Sequence, residues 1–280
     1  MTTPAPPFSP DRVREYYDRN TSAFVRHGQG KRVGAIHRAV WGPGVADRDQ
    51  AFRYVEDQIA GSIGLDAHVL DLGCGVGASL SYLAQLKPIR GTGITISPVQ
   101  ARLGQERIAE LGLAGRVTCL EGDYTAIPSS IGDVDLAYAI ESFVHGPSPA
   151  RFFSEAARVI KPGGLLIVCD DVRRESAAPR AKASLARFAA GWHVNSLVTA
   201  GEMRAMAAAA GFTHEATTDL TPYLELGRPR DRLFGALEGV LARVPFARMR
   251  LAPIVGGSAL QTCLRCGWLA YDFAMFRRMA

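Results

Sequence analysis

From residue 67 onward, short apolar runs alternate with stretches of helical spacing, the pattern of βαβ units on a parallel sheet. AHVLDLGC, IRGTGITIS, VTCLEGD, VDLAYAIES and LLIVCDDV read as five strands. GASLSYLAQL, PVQARLGQERIAELGL and ARFFSEAARVI read as the helices between them, with Lys161-Pro162-Gly163-Gly164 as the turn before strand five. Upstream, Ser9-Pro10-Asp11 caps a helix whose apolar positions are Val13, Tyr16, Tyr17, Phe24 and Val25. Gly and Pro then break the pattern over 28–45, a loop-rich cap, before a helix from 47 to about 63. Residues 173–198, rich in Arg and Ala, read as a helical insertion, and GEMRAMAAAAGF as a helix closed by Gly211. The irregular stretch 221–257 carries helical segments broken by Pro229, Pro245 and Pro253, and GWLAYDFAMFRR is a final strand. With no repeats and no long linker, the expected organisation is one α/β domain: a cap and acceptor lid over 1–64, a core over 65–172, the insertion, and a C-terminal part over 199–280 with a second lid segment.

Composition narrows the class. The 280 residues are 48% apolar, which supplies a core and excludes disorder. A net charge of +5, from 32 basic against 27 acidic residues, is thin for a dedicated nucleic-acid module. Five cysteines, an odd number and mostly in apolar runs, do not make a disulfide framework, so a reducing cytoplasm is expected. Cys263 and Cys266 have C-x-x-C spacing, but no second pair completes a zinc set, and no metal site is expected from them. The N-terminus lacks a signal-peptide pattern and no stretch is apolar enough to span a membrane.

The chemistry concentrates in VLDLGCGVG, where a first strand turns into a helix and small residues let backbone N–H groups approach a ligand. Gly73, Gly75 and Ala78 satisfy a dinucleotide fingerprint, so glycine spacing alone does not separate nicotinamide from other nucleotide cofactors. Two neighbours do. Asp71 would repel a pyrophosphate but suits an ammonium or sulfonium, and the second strand ends Ile94-Thr95-Ile96-Ser97, without the acid that a nicotinamide ribose wants. The site favours a cationic cofactor.

Asp71-Leu72-Gly73-Cys74-Gly75-Val76-Gly77 resembles motif I of the class I S-adenosylmethionine-dependent methyltransferases. Glu121-Gly122-Asp123 and Arg158-Val159-Ile160-Lys161-Pro162-Gly163-Gly164 resemble the family's later landmarks, and the likeness covers about residues 65 to 172. The resemblance implies a Rossmann-like α/β fold, with a seven-stranded, mostly parallel sheet, helices on both faces and an α-helical lid. It implies S-adenosylmethionine as cofactor and S-adenosylhomocysteine as product, held by Asp71, Gly73, Cys74 and Gly75, by Gly122, Asp123 and Tyr124, by Ile140, and by Tyr17 closing over the methionine end. Ile94-Thr95-Ile96-Ser97-Pro98-Val99-Gln100 resembles the cyclopropane fatty acid synthase and sterol C-methyltransferase branch, in which Thr95, Ser97 and Gln100 would meet the ribose without an acid.

The acceptor decides what else is needed. An oxygen or nitrogen wants a general base, whereas an alkene becomes a cation to be stabilised and deprotonated. Glu141, after the fourth strand, is the first candidate as base or cation stabiliser, against the alternative of a carboxylate that caps a helix or orients the cap. His145 is a second candidate base, or a structural hydrogen-bond partner, and Tyr16 is a third catalytic candidate, not separable from Tyr17 by sequence. Tyr16, Tyr17, Phe24, Trp41, Trp192 and Tyr223 offer rings to wall an apolar acceptor. Lys31, Arg32, His37 and Arg38, with Arg173, Arg174, Arg228, Arg230 and Arg232, would bind a diphosphate if they converge. Mg²⁺ enters only in that case, through Asp170-Asp171. The expectation is C-methylation of a prenyl, terpenoid or prenylated alkaloid acceptor in secondary metabolism, with or without cyclisation. The alternative is O- or N-methylation. Partners are a hydrophobic small molecule and a second copy met through the N-terminal cap, not nucleic acid.

Overall fold

A computed structural model describes residues 8–27, 30, 32–34, 36–176, 181–227 and 247–280. Among them the sheet has seven strands: β1 (His68–Leu72), β2 (Arg90–Thr95), β3 (Val117–Glu121), β4 (Val134–Ile140), β5 (Ile160–Arg173), β6 (Phe212–Asp219) and β7 (Leu269–Arg278). Their order is β3-β2-β1-β4-β5-β7-β6, parallel except for β7, which runs antiparallel to both neighbours. The order reverses between β1 and β4, and there the crevice of such sheets lies at the carboxyl ends of the strands.

The helices are α1 (Pro10–His27), α2 (Arg48–Gly61), α3 (Ala78–Leu86), α4 (Pro98–Glu110), α5 (Pro149–Val159), α6 (Lys182–Trp192), α7 (Ala200–Ala209) and α8 (Ala247–Arg265). Their starts follow local chemistry. Asp47 caps α2 by accepting from the Gln50 amide at 2.9 Å, Ser97-Pro98 and Ser148-Pro149 open α4 and α5, and Thr199 with Glu202 forms a capping box on α7. Alternate strand residues then face two cores. Val69, Leu136, Tyr138 and Ile167 pack with α2, α3 and α4 residues such as Ile59, Leu80 and Ile108. Leu70, Leu72, Ala137 and Leu166 pack with Phe152 and Phe153 of α5 and Met203 of α7. A third cluster joins α6 to α8 through Phe188, Leu260 and Cys263, and seats the pair on Val144 just past β4.

Two elements differ from the sequence pattern. β6 lies where no strand is predicted, because it is a sheet edge with one buried residue, Phe212, and no alternation to read. The helix α8 runs through Pro253, which the pattern takes as a breaker. Among the described residues, no helix is long and apolar enough to cross a membrane.

Candidate active site

A cavity of about 490 Å³ opens at the carboxyl ends of β1, β2 and β4. Its floor is the glycine loop after β1. The amides of Gly73 and Cys74 both donate to the Ile94 carbonyl at 2.9 Å, which ties the loop across the end of β2. Gly73 has φ +106°, and a Cβ there would come within 2.4 Å of the Ser142 Cβ, so this position demands glycine twice over. Ser142 in turn donates to the Leu72 carbonyl at 2.5 Å and closes the loop against the segment after β4.

Asp71 is 3% exposed, and the Tyr138 hydroxyl donates to its Oδ2 at 2.8 Å. Oδ1 has no hydrogen-bond partner among the described residues, and the residue lines the cavity. Burial, and the Glu56 carboxylate nearby, push the Asp71 carboxyl up to about 7. A buried acid with no cation bonded to it, whose nearby His37 does not offset the burial, and which lines a crevice, fits a ligand carrying an ammonium group. The geometry therefore suits the methionine end of the expected cofactor.

Of the other residues assigned to the cofactor, Tyr17, Gly73, Cys74, Gly75, Thr95, Gln100, Asp123, Tyr124 and Ile140 all line the cavity. Asp123 Oδ1 accepts from the Thr125 amide and hydroxyl, each at 2.7 Å, while the Tyr124 hydroxyl donates to the Ser142 carbonyl at 2.7 Å. Ser97 and Gly122 do not reach the lining. Ser97 caps α4 and donates to Asp18 of α1, and Gly122 spends its amide on the Thr95 carbonyl at 2.9 Å. Thr95 and Gln100 are also engaged: Thr95 donates to Gln100 Oε1 at 2.7 Å, and Gln100 Nε2 donates to the Thr21 hydroxyl of α1 at 3.1 Å. The neutral Thr–Ser–Gln set thus fastens α1 over the crevice. Asp18 and Thr21 were invisible as partners because nothing local in α1 marks them.

Glu141 follows β4 in a left-handed conformation, φ 49°, a backbone strain that favours glycine elsewhere and marks a constrained position here. Three donors converge on one of its oxygens: the Arg38 amide at 2.8 Å, Arg38 Nε at 3.0 Å and the Tyr271 hydroxyl at 2.9 Å, all to Oε1. Oε2 has no protein partner among the described residues, and Glu141 lines the cavity. Burial opposes ionisation, but Arg38 and His37 outweigh it and hold the carboxyl below its ordinary range. Arg38 also makes a bidentate pair with Asp171, at 2.9 Å on each arm, and stacks its guanidinium 4.1 Å from the centre of the Tyr271 ring.

His145 lies on the short helical turn after Glu141. Its Nδ1 meets the His193 carbonyl at 3.2 Å, and because a carbonyl only accepts, Nδ1 carries the proton and Nε2 keeps its lone pair. Burial pushes the group down to about 4, so it is neutral at physiological pH. The Tyr17 ring meets it edge-on at 5.5 Å, and Tyr16 packs on Tyr17 and on His193. Burial raises Tyr16 to about 12, and Tyr17 well above its usual value, so both remain phenols. Tyr16 lines the cavity as well, so the structure brings both rings to it.

Beyond them the walls are apolar: Phe52, Phe188, Trp192, Leu224 and Leu226. Trp192 joins the lining as expected, whereas Trp41 and Tyr223 do not. Lys31, Arg228, Arg230 and Arg232, and the side chain of Phe24, lie outside the described residues. The remaining basic groups do not converge on an anion. Arg32 pairs with Asp49, Arg173 with Glu202 and Arg174 with Asp219. His37, from the cap, donates through both nitrogens, to the Arg38 carbonyl at 3.1 Å and to Glu56 at 3.0 Å. Burial opposes its charge, but Glu56 wins and raises it to about 9. Asp171 is occupied by Arg38, and Asp170 accepts from the amides of Val144 and Asp171. Among the described residues, no three acids, histidines or cysteines are grouped to hold a metal.

The sequence does not mark Tyr138, Tyr271 or Glu56. Tyr138 was within reach of it, since Asp71 and Tyr138 are register partners on β1 and β4. Tyr271 arrives from β7, 130 residues beyond Glu141, and Glu56 from α2, where its pairing with His37 depends on how the cap folds back.

Comparison with known proteins supplies the family. Residues 70–168 match the model of the methyltransferase domain. The O-methyltransferase cnsE of Penicillium expansum is 30% identical over 232 residues, covering 81% of this chain and 80% of its own. Among solved structures, the [4+2]-cyclase SpnF is 26% identical with a TM-score of 0.75, over 99% of this chain and 98% of that one. A geranyl diphosphate C-methyltransferase from Streptomyces coelicolor A3(2), crystallised with Mg²⁺, geranyl diphosphate and S-adenosyl-L-homocysteine, shares the fold at 18% identity and a TM-score of 0.73, over 99% of this chain and 100% of that one. Three other curated relatives match over less of their length: the chain spans 28%, 44% and 38% of them.

Proposed function

Because the chain belongs to the S-adenosylmethionine-dependent methyltransferases, we propose that it methylates a carbon of a neutral, largely apolar small molecule, the alkene of a prenyl or terpenoid skeleton. When bound, the cofactor supplies a methyl group on a cationic sulfur. Asp71 and the glycine loop hold its amino-acid end, Asp123 and Tyr124 its base, and the rings of Tyr16 and Tyr17 exclude water from the reacting region.

The observation that carries this reading is the ionised Glu141 with Oε2 open to the cavity. An alkene that gains a methyl becomes a tertiary cation, and a fixed carboxylate stabilises it in a site screened from water. A tertiary cation is strongly acidic, so the weakly basic Nε2 of His145 suffices to take its proton. Removing a proton from an alcohol or phenol calls for a stronger base, and both candidates here are weak ones, Glu141 below its ordinary range and His145 at about 4. Pairing of the described basic groups with acids supports an uncharged acceptor over a diphosphate.

O-methylation is the second reading, favoured by the name of the relative that spans four-fifths of the chain. Incubation with methyl-labelled cofactor and a panel of terpenoid alkenes and phenols separates them. Carbon methylation gives label that survives hydriodic acid, and Glu141→Gln lowers kcat about 100-fold or more while S-adenosylhomocysteine affinity holds. Label released as methyl iodide overturns the C-methylation reading.

A further inference from the structure

Arg38 sits in the cap, 103 residues from Glu141 and 133 from Asp171, yet it touches both with four nitrogen contacts. Its amide and Nε saturate Oε1 of Glu141, while its two terminal nitrogens grip Asp171, the strand residue beside the crevice. The guanidinium carbon sits 4.1 Å from the centre of the Tyr271 ring, whose hydroxyl also donates to Oε1. One planar cation therefore spans two carboxylates from adjacent strands, a task its fork geometry fits and a lysine ammonium does not. The backbone of Glu141 is held left-handed at the same point, so the carboxylate has little freedom left.

We infer that Arg38 is a positioning residue: it aims Oε2 of Glu141 at the acceptor and makes that carboxylate's charge conditional on the cap being docked. With the cap lifted, Glu141 and Asp171 are left as two buried acids on neighbouring strands with no cation between them, and like charges in that setting cannot both stay ionised. The acceptor chemistry is thereby switched on only when the cap has closed the site. The inference rests on the reading that Glu141 stabilises the acceptor's charge.

The other titratable groups around Glu141 are His37 of the cap, Cys169, Asp170 and Asp171 of β5, Tyr271 of β7, His145 beyond β4 and Tyr17 of α1. Arg38 and His37 are the cations that lower Glu141, so removing Arg38 changes its ionisation directly, which a merely structural contact would not do.

The test uses the full chain saturated with S-adenosylhomocysteine and needs no acceptor. Infrared difference spectra follow the carboxyl C=O stretch against pH in wild type, Arg38→Met and Arg38→Lys, with Glu141→Gln to assign the band. The Glu141 band is expected to protonate below pH 4.5 in wild type and at least one pH unit higher in Arg38→Met, with Arg38→Lys between them. Hydrogen exchange of cap amides 36–45 is expected to quicken about tenfold in Arg38→Met. If Arg38→Met does not fold, Arg38→Lys carries the comparison. A Glu141 band that titrates alike in wild type and variants, or unchanged cap exchange, overturns the inference. Failure of the earlier reading is distinct: it shows as full turnover of Glu141→Gln, whatever Arg38 does to the band.

Discussion

Asp71→Asn is the substitution whose consequence follows most directly from the geometry. In the ligand-free protein Asp71 titrates at about 7, against an ordinary 3.8. The folded state therefore holds a proton that the unfolded chain has released over that window, and stability falls as pH rises through it. Complete ionisation costs about 4 kcal/mol, at roughly 1.4 kcal/mol per pH unit, of which about 2 kcal/mol falls between pH 5 and pH 7. For a chain of this size that is a decline of about 4–8 °C in melting temperature. Asn keeps the shape and the Tyr138 contact but has no charge to lose. The assay is thermal unfolding of wild type and Asp71→Asn from pH 5 to pH 8, with and without S-adenosylhomocysteine. His145 at about 4 and Asp272 at about 6 titrate in both proteins, so the difference between the two curves isolates Asp71. That difference should widen toward pH 7 in the empty protein, and shrink when the ligand's ammonium neutralises the carboxylate. S-adenosylhomocysteine affinity of wild type should drop by about tenfold per pH unit below 7, while that of Asp71→Asn stays flat and weaker. Parallel unfolding curves, or a wild-type affinity indifferent to pH, would refute the assignment of Asp71 to the ammonium.

Three further outcomes follow. His37 is raised to about 9 from 6.5 by Glu56, so its stabilisation is complete below pH 6.5 and fades as pH rises through 9. Wild type should lose about 3 kcal/mol over that interval, and the unfolding of His37→Gln should show no such loss. Gly73→Ala places a Cβ 2.4 Å from the Ser142 Cβ at a φ of +106°; a destabilisation of about 2 kcal/mol or more with loss of S-adenosylhomocysteine binding is expected by calorimetry. Gln100→Ala removes the tie to Thr21 of α1, and should weaken that binding by about two- to tenfold while leaving the sheet's melting behaviour nearly unchanged.

Much of this was legible along the chain because the core strands announce themselves. β1, β4 and β5 are buried on both faces and read as continuous apolar runs, and the glycine loop after β1 cannot be anything but a tight approach. Asp71 of β1 and Ile140 of β4 line the crevice and are legible for the same reason, whereas Tyr138 of β4, which also lines it, is not. What escaped was tertiary. Ser97 and Gly122 sit in the right motifs but turn their polar groups to α4, α1 and β2, since a helix start and a strand crossing compete with a ligand for the same donors. Arg38 looked like one cation among several, and only the fold reveals that it is spoken for by Glu141 and Asp171. α8 continues through Pro253 because its packing on α6 outweighs one missing hydrogen bond.

The polar rim formed by Phe212–Asp219 has a bearing on how the molecule behaves in a crowded solution. A parallel sheet must stop somewhere, and its last row of amides and carbonyls invites another chain to continue it. Here the ladder with β7 slips between His214 and Ala216, and Glu215 at that kink is clasped by Arg277. A kinked, charged hem is a poor template for a neighbour's strand. Strand addition by another chain is thereby discouraged on that flank.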